Sequence, residues 1–142
     1  MTLRKLINEF CACISRQDEL YDLWGKKQGI RPSTSMVLYA LDQLPGCTQR
    51  DISRMWLLPK QTVHMVIQEL EEQGYLSKQP GQTSREKSLT LTEAGLRYAH
   101  TQLNSLYQAE ERAAKAIGEE EFAHLVEANR RFTEAFAKEV LQ

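Results

Sequence analysis

The chain has 142 residues, 42% hydrophobic and 26% charged, which suits one folded domain with its own core. It lacks an apolar run of about 18 residues, which excludes a membrane-spanning helix. Charged residues early in the chain exclude a secretory signal peptide, so we expect a cytoplasmic protein. The three cysteines exclude a disulfide framework, and the net charge of −1 gives no overall attraction to nucleic acid.

Two helices are predicted in the first third of the chain. Apolar residues recur at helical spacing across 3–27, and glycines weaken the pattern at its end. Pro32 then places the start of a second helix, at about 33–43. We expect Ser33 or Thr34 to cap this helix, because a side-chain oxygen there can accept from a free N–H of the first turn.

The middle of the chain predicts two short helices joined by about three residues. Thr48 is a favourable N-cap for a helix at about 49–55. Pro59 is tolerated in the first turn of a helix, and it opens the next one, over 59–73. Gly74 provides a left-handed C-cap for that helix. Two short helices joined in this way form a helix-turn-helix.

A hairpin and two long helices complete the chain. Residues 75–91 have a turn-rich centre followed by alternating polar and apolar residues, which predicts a β-hairpin with a cationic tip. Thr92 caps a helix predicted at about 93–117, and a last helix is predicted at about 119–140. The fold class is therefore mainly α with a small β-hairpin wing, a winged helix-turn-helix.

This order of elements indicates a DNA-binding domain. Residues 48–91 contain six basic and five acidic side chains, and most of the acids lie at one end of one helix. The other end of that helix suits a major groove, where N-terminal turns reach base edges and the helix dipole favours phosphate. The residues expected to contact DNA are Arg50, Arg54, Lys60, Gln61, Thr62, His64, Met65, Arg85 and Lys87.

The segment from Thr48 to Gly95 resembles the MarR (multiple antibiotic resistance regulator) family of bacterial transcription factors. The similarity lies in "QTVHMVIQELEEQGYL" and in "LTLTEAG", close to the L-T-x-x-G that follows the family's wing. The resemblance implies a homodimeric repressor or activator, and in some members a small phenolic or lipophilic effector. The chain departs from the family at Leu57, Met65 and Thr83, where Gly, Arg and Asp are frequent.

The outer helices independently predict a homodimer. We expect a helical dimerisation region at 1–31 and 93–142 and a DNA-binding domain at 32–92, because the outer apolar stripes exceed what one small core can cover. Two copies would place their recognition helices about one duplex turn apart, ~34 Å, on a pseudo-palindromic operator. In the last helix, the side chains expected to be buried are Phe122, Leu125, Val126, Phe132, Phe136 and Val140.

A small-molecule pocket is a further hypothesis. Tyr21, Trp24, Met36 and Tyr39 fall where the first two helices should meet the fifth. Pockets for small ligands are lined mainly by apolar and aromatic side chains, so these four residues are candidates for binding an effector. The alternative is that they are ordinary core aromatics.

Cys11 and Cys13 raise the alternative of a thiol-based redox sensor of the same fold, which some members of the family are. In a helix these two residues point roughly 200° apart, so they cannot pair with each other. Burial as small hydrophobic side chains is the other interpretation.

No feature of the sequence indicates catalysis or a cofactor. It contains no nucleophile elbow and no phosphate loop, and the three histidines lack metal-ligand spacing. We therefore expect a non-enzyme without cofactor or metal. A winged-helix module that binds a protein instead of DNA remains open, because the charge on the expected DNA face is sparse.

Overall fold

The computed structural model describes residues 1–83 and 85–142. Within these ranges no helix is long and apolar enough to cross a membrane. The predicted order of elements and the fold class are confirmed. The elements are α1 (Leu3–Gln28), α2 (Pro32–Gln43), α3 (Gln49–Trp56), α4 (Lys60–Glu72), β1 (Leu76–Pro80), β2 (Lys87–Leu91), α5 (Glu93–Ile117) and α6 (Glu119–Val140).

The start of α2 differs from its prediction. Arg31 is the N-cap, Pro32 is the first helical residue, and no side chain caps the helix. The prediction that Ser33 or Thr34 caps it is wrong, because proline at the first position starts the helix one residue earlier and places both inside the first turn.

The start of α3 confirms the predicted cap. Thr48 Oγ1 accepts from the Asp51 backbone N–H at 3.1 Å, and the Asp51 carboxylate accepts from the Thr48 N–H at 2.9 Å. This reciprocal capping box satisfies two N–H groups that the helix itself leaves free. At the other end, Leu57 has a left-handed backbone (φ 51°) and is 90% exposed. The turn therefore bends sharply toward α4 at a cost of about 1 kcal/mol.

The inner face of α4 forms the centre of the core. Val63, Val66, Ile67 and Leu70 are at most 2% exposed, and their i, i+3, i+4, i+7 spacing is that of one buried helix face. The helix packs on α2, α3 and β1. Each of these four side chains stabilises the fold by about 1.5 to 3 kcal/mol, so α4 is held firmly and its opposite face is free to project outward.

The hairpin is tied to the segment before α3. Its strands are antiparallel, with Leu76 opposite Leu91. The Leu89 N–H donates to the Cys47 carbonyl at 2.9 Å, and the Gly46 N–H donates to the Leu89 carbonyl at 2.8 Å. These two bonds join Leu89 of β2 to Gly46 and Cys47, so the position of the hairpin relative to α3 is set by backbone hydrogen bonds.

Short-range hydrogen bonds close the hairpin near its tip. The Gly81 N–H donates to the Glu86 carbonyl at 3.0 Å, and the Glu86 N–H donates to Thr83 Oγ1 at 3.3 Å. Thr83 stands where the resembled family often has Asp. Its hydroxyl accepts the Glu86 N–H, and this hydrogen bond helps turn the chain back toward β1.

The start of α5 lies against the entrance to the hairpin. Thr92 caps α5 as predicted, since its Oγ1 accepts from the Gly95 N–H at 3.1 Å. The same hydroxyl donates to the Gly74 carbonyl at 2.7 Å. Gly95 touches the Tyr75 backbone so closely that a Cβ there would lie 1.9 Å from the Tyr75 carbonyl oxygen. The rings of Tyr75 and Tyr98 stack at 4.4 Å.

The chain forms two compact units, Met1–Leu103 and Asn104–Gln142. The first contains the winged helix-turn-helix. The second contains the end of α5 and all of α6, which has no buried residue. Its apolar side chains, predicted to be buried, are exposed in the single chain, because the interior of this small helical unit is too thin to cover them. Phe122, Leu125, Val126, Phe132, Phe136 and Val140 are between 40% and 63% exposed.

Candidate nucleic-acid interface

A basic groove of about 670 Å³ lies between α3, α4 and the hairpin. Its lining includes five Lys or Arg side chains and one histidine against a single carboxylate, in a chain whose net charge is −1. Positive charge gathered in a concave surface raises the local potential for a polyanion. The residues that line this basic groove are Thr48, Gln49, Arg50, Ser53, Lys60, His64, Lys78, Arg85, Glu86 and Lys87.

The α4 side of the basic groove comes from the first turns of the helix. Lys60 and His64 are four residues apart, so they share one face. The Gln49 amide nitrogen lies 3.5 Å from His64 Nδ1, which turns the imidazole toward α3. The N-cap of α4 is Pro59, whose side chain cannot accept a hydrogen bond from the N–H groups of the first turn. These groups and Lys60 together favour an anion at this end of the helix.

The hairpin side of the basic groove comes from both strands. Lys78 lies on β1 opposite Leu89, and Lys87 begins β2 opposite Pro80. Lys78 Nζ lies 3.5 Å from a carboxylate oxygen of Glu71, and the lysine side chain is 29% exposed. This contact places Lys78 beside the more acidic, C-terminal part of α4.

The structure brings together five of the nine residues predicted to contact DNA: Arg50, Lys60, His64, Arg85 and Lys87. Arg54 instead lines a neighbouring cleft of about 600 Å³ together with Arg50 and the hairpin residues Pro80 to Gln82. Gln61 and Met65 are exposed and Thr62 is half-buried on α4, beside the basic groove and outside its lining.

The prediction from sequence did not include Lys78 or Gln49. Gln49 and Ser53 are four residues apart on α3, so helical spacing alone offered a signal for that face. For Lys78 the signal was weaker, since the face that a strand residue presents depends on its pairing register.

Comparison with known proteins identifies the family. The sequence profile of the MarR family matches residues 28–85, which include α2, α3, α4 and β1. The chain is also 34% identical over 100 residues to the uncharacterized HTH-type transcriptional regulator YwoH of Bacillus subtilis (strain 168), covering 68% of this chain and 73% of that protein. The chain belongs to the MarR family.

Solved structures of MarR-family proteins share this fold over almost their full length. NMB1585, a MarR family regulator from Neisseria meningitidis, superposes with a TM-score of 0.78 at 28% identity, covering 95% of this chain and 96% of that one. A MarR transcriptional regulator from Methanosarcina mazei Go1 superposes with a TM-score of 0.66 at 19% identity, covering 97% and 94%. The second likeness shows the fold alone. The sequence match and the shared fold together confirm that the chain is a MarR-family transcription regulator with a winged helix-turn-helix.

The four candidate effector residues of this MarR-family chain are all half-buried: Tyr21, Trp24, Met36 and Tyr39. The ring of Tyr39 packs edge-on against Trp56 at 5.6 Å. The Trp56 indole nitrogen is buried without a hydrogen-bond partner among the described residues. The sequence had not singled out Trp56. The pocket stays a prediction.

The cysteines of this MarR-family chain occupy two environments. Cys11 and Cys13 are exposed on α1 in the single chain, whereas Cys47 is buried. Burial, together with the smaller effect of the nearby negative charge of Asp51, raises the pKa of the Cys47 thiol to about 11. Cys47 is therefore a thiol that resists ionisation. Among the described residues, no three His, Cys, Asp or Glu side chains gather to hold a metal ion.

A thiol-labelling experiment tests the state of Cys47. In a Cys11→Ser, Cys13→Ser variant only Cys47 remains, and we expect its reaction with an aromatic disulfide reagent at pH 8 to be about 100-fold slower in the folded protein than in concentrated urea. The pKa rise from 9.0 to about 11 lowers the reactive thiolate fraction by that factor. Equal rates in the two states would contradict the assigned burial.

Proposed function

We propose that this MarR-family protein is a homodimer that binds a pseudo-palindromic DNA operator and regulates transcription from it. The five Lys and Arg side chains of the basic groove carry this proposal, since they concentrate positive charge between a recognition helix and a wing in a chain that is acidic overall. Phosphate contacts by such side chains supply most of the affinity of DNA-binding proteins.

The winged helix-turn-helix of residues 32–92 would bind with the first turns of α4 in the major groove. Lys60 and Arg50 then meet phosphates on the flanks of that groove, and the free first-turn N–H groups of α4 support the same contact. Arg85 and Lys87 follow the adjacent backbone or minor groove from the hairpin. Glu71 and Glu72 lie at the far end of α4, away from the phosphates.

Exposed apolar side chains at both ends of the chain support the homodimer. Leu3 and Leu6 on α1 are 73% and 50% exposed, and Phe136 and Val140 on α6 are 58% and 63% exposed. Monomeric proteins rarely leave so many large apolar side chains in water. A second copy that covers residues 1–31 and 93–142 would bury them, and a two-fold axis would repeat the DNA-binding face for two half-sites.

Modulation by a small phenolic or lipophilic effector forms the last part of this proposal. An effector bound near Tyr21, Trp24, Met36 and Tyr39 would alter DNA affinity if it preferred one spacing of the two recognition helices. The chain contains two tryptophans, one in this set and the other, Trp56, against Tyr39. Quenching of tryptophan fluorescence by a substituted phenol, with a matched change in operator affinity, would support this part.

DNA binding itself is tested with genomic fragments that include the promoter region of the protein's own gene. We expect a specific complex whose affinity falls about a thousandfold between ~50 and ~200 mM salt, because a dimer with this many cations displaces many counterions from the duplex. Sedimentation velocity should show a dimer alone and one dimer per site. A stable dimer that binds no fragment at any salt concentration would favour the alternative of a protein-interaction module.

A further inference from the structure

The side of α4 that faces away from the core carries no charge in its first turns. The buried residues of α4 run from Val63 to Leu70, and at about 100° per residue the opposite line passes through Gln61, Met65 and Gln68. All three are exposed, and Met65 is 49% exposed. We call this line the outer ridge. It would enter the major groove deepest if α4 binds DNA as proposed above.

The charged residues in the first turns of α4 lie beside the outer ridge and not on it. Lys60 and His64 line the basic groove together with α3 and hairpin residues, and the contact between Gln49 and His64 turns the ring to that side. The cations are therefore placed for phosphates, and the base edges are left to two amides and one thioether.

The chemistry of the outer ridge matches one kind of base pair. A glutamine amide can accept from N6–H and donate to N7 of adenine in a bidentate contact, whereas apolar side chains contact the 5-methyl group of thymine. Guanine offers two acceptors, which arginine or lysine would read, and the ridge has neither. Gln61 and Met65 are separated by roughly 6 Å along the helix axis, close to the rise of two base steps, so both can reach neighbouring pairs.

We infer that Met65 is a specificity-determining residue that reads the 5-methyl group of a thymine in each half-site, with Gln61 reading an adenine within two base steps. The inference rests on the proposed DNA binding and names the base pair that it selects. Met65 is 49% exposed on the outer face of α4, so a contact with a methyl group buries apolar surface on both partners.

Replacing thymine by uracil in the operator tests this inference, because uracil lacks only the 5-methyl group. Each thymine of a bound operator is replaced symmetrically in both half-sites, and affinity is measured by fluorescence anisotropy. At one position we expect the wild-type affinity to fall about fifteenfold, which corresponds to about fourfold for each buried methyl group. Met65→Ala should bind the thymine duplex about fifteenfold more weakly than the wild type does. Its affinity should not fall further when uracil replaces that thymine.

Lys60→Ala is the matched control on the same helix. It should weaken binding to the thymine and uracil duplexes equally, since a phosphate contact does not sense the methyl group. The contact of Gln61 is tested with a duplex that carries 7-deazaadenine in place of adenine. The wild type should bind this duplex more weakly than the adenine duplex, whereas Gln61→Ala should bind the two duplexes equally.

Two results would overturn the inference about Met65. One is a wild-type protein whose affinity is unchanged by uracil at every thymine of the half-site. The other is a uracil penalty that persists in full in Met65→Ala, which would assign the methyl contact to another residue. A wild-type protein that binds no thymine duplex at all would overturn the proposed function itself, and the inference with it.

Discussion

Replacing Gly95 with alanine is expected to lower the free energy of unfolding by at least ~3 kcal/mol, within the range of severe backbone clashes. The new Cβ would lie 1.9 Å from the Tyr75 carbonyl oxygen and 2.8 Å from its carbon, and both are backbone atoms that no side-chain rotation can move. Relief requires the start of α5 to shift away from the Tyr75 backbone, which breaks the 3.0 Å hydrogen bond from the Thr92 N–H to the same carbonyl. Urea unfolding followed by circular dichroism at fixed protein concentration measures the loss.

Gly25→Ala provides the control for this prediction. Gly25 is also buried in a helix, but a Cβ there would meet the Ile30 carbonyl oxygen at 3.3 Å, a tight contact that small movements relieve. We expect its loss to stay below ~1 kcal/mol, partly offset by the better helix propensity of alanine. Comparable losses in Gly95→Ala and Gly25→Ala would show that the approach of α5 to the Tyr75 backbone is looser than the structure indicates.

Removing Lys60 and Arg85 together is expected to have the largest effect on DNA binding. The two residues line opposite sides of the basic groove, one on α4 and one on the hairpin, so their effects should be nearly additive. We expect about a tenfold loss of affinity for each single alanine variant and about a hundredfold loss for the double variant. In a dimer each replacement removes two phosphate contacts, which lowers the slope of log affinity against log salt by about 2.

Arg97→Ala controls for the loss of one positive charge. Arg97 is 68% exposed, pairs with Glu93 at 3.1 Å and lies outside the basic groove, so its removal should change affinity by less than about twofold. Sedimentation velocity should show that all variants remain dimers. If Lys60→Ala and Arg85→Ala bind as tightly as the wild type at every salt concentration, the basic groove is not the DNA site.

Features that depend on residues near one another in the chain were predictable. Thr48 caps α3 as expected, and Asp51 completes a capping box with it, because both partners lie within one helical turn. The inner face of α4 follows from helical spacing. At α2 two local rules competed, and Pro32 at the first helical position prevailed over the side-chain caps expected at Ser33 and Thr34.

Features that depend on strand register or on distant backbone were not predictable. Lys78 enters the basic groove because β1 pairs with β2 in one register, and a shift of one residue would turn its side chain to the other face. Gly95 is readable as part of an L-T-x-x-G motif, yet the need for glycine arises from the Tyr75 carbonyl, twenty residues earlier in the chain. Thr83 accepts the Glu86 N–H. The absence of the Asp that the family often has at this position did not predict that hydrogen bond.

The sequence by itself determined the order of elements, the core face of α4 and the separation of the acidic end of that helix from its basic end, because periodicity, caps and turns act over a few residues. Only the tertiary structure decided which cations share one groove, that Arg54 lines a neighbouring cleft, and that the Tyr75 carbonyl requires glycine at position 95. These outcomes depend on packing between segments far apart in the chain, where the position of each side chain follows from how whole helices and strands fit together.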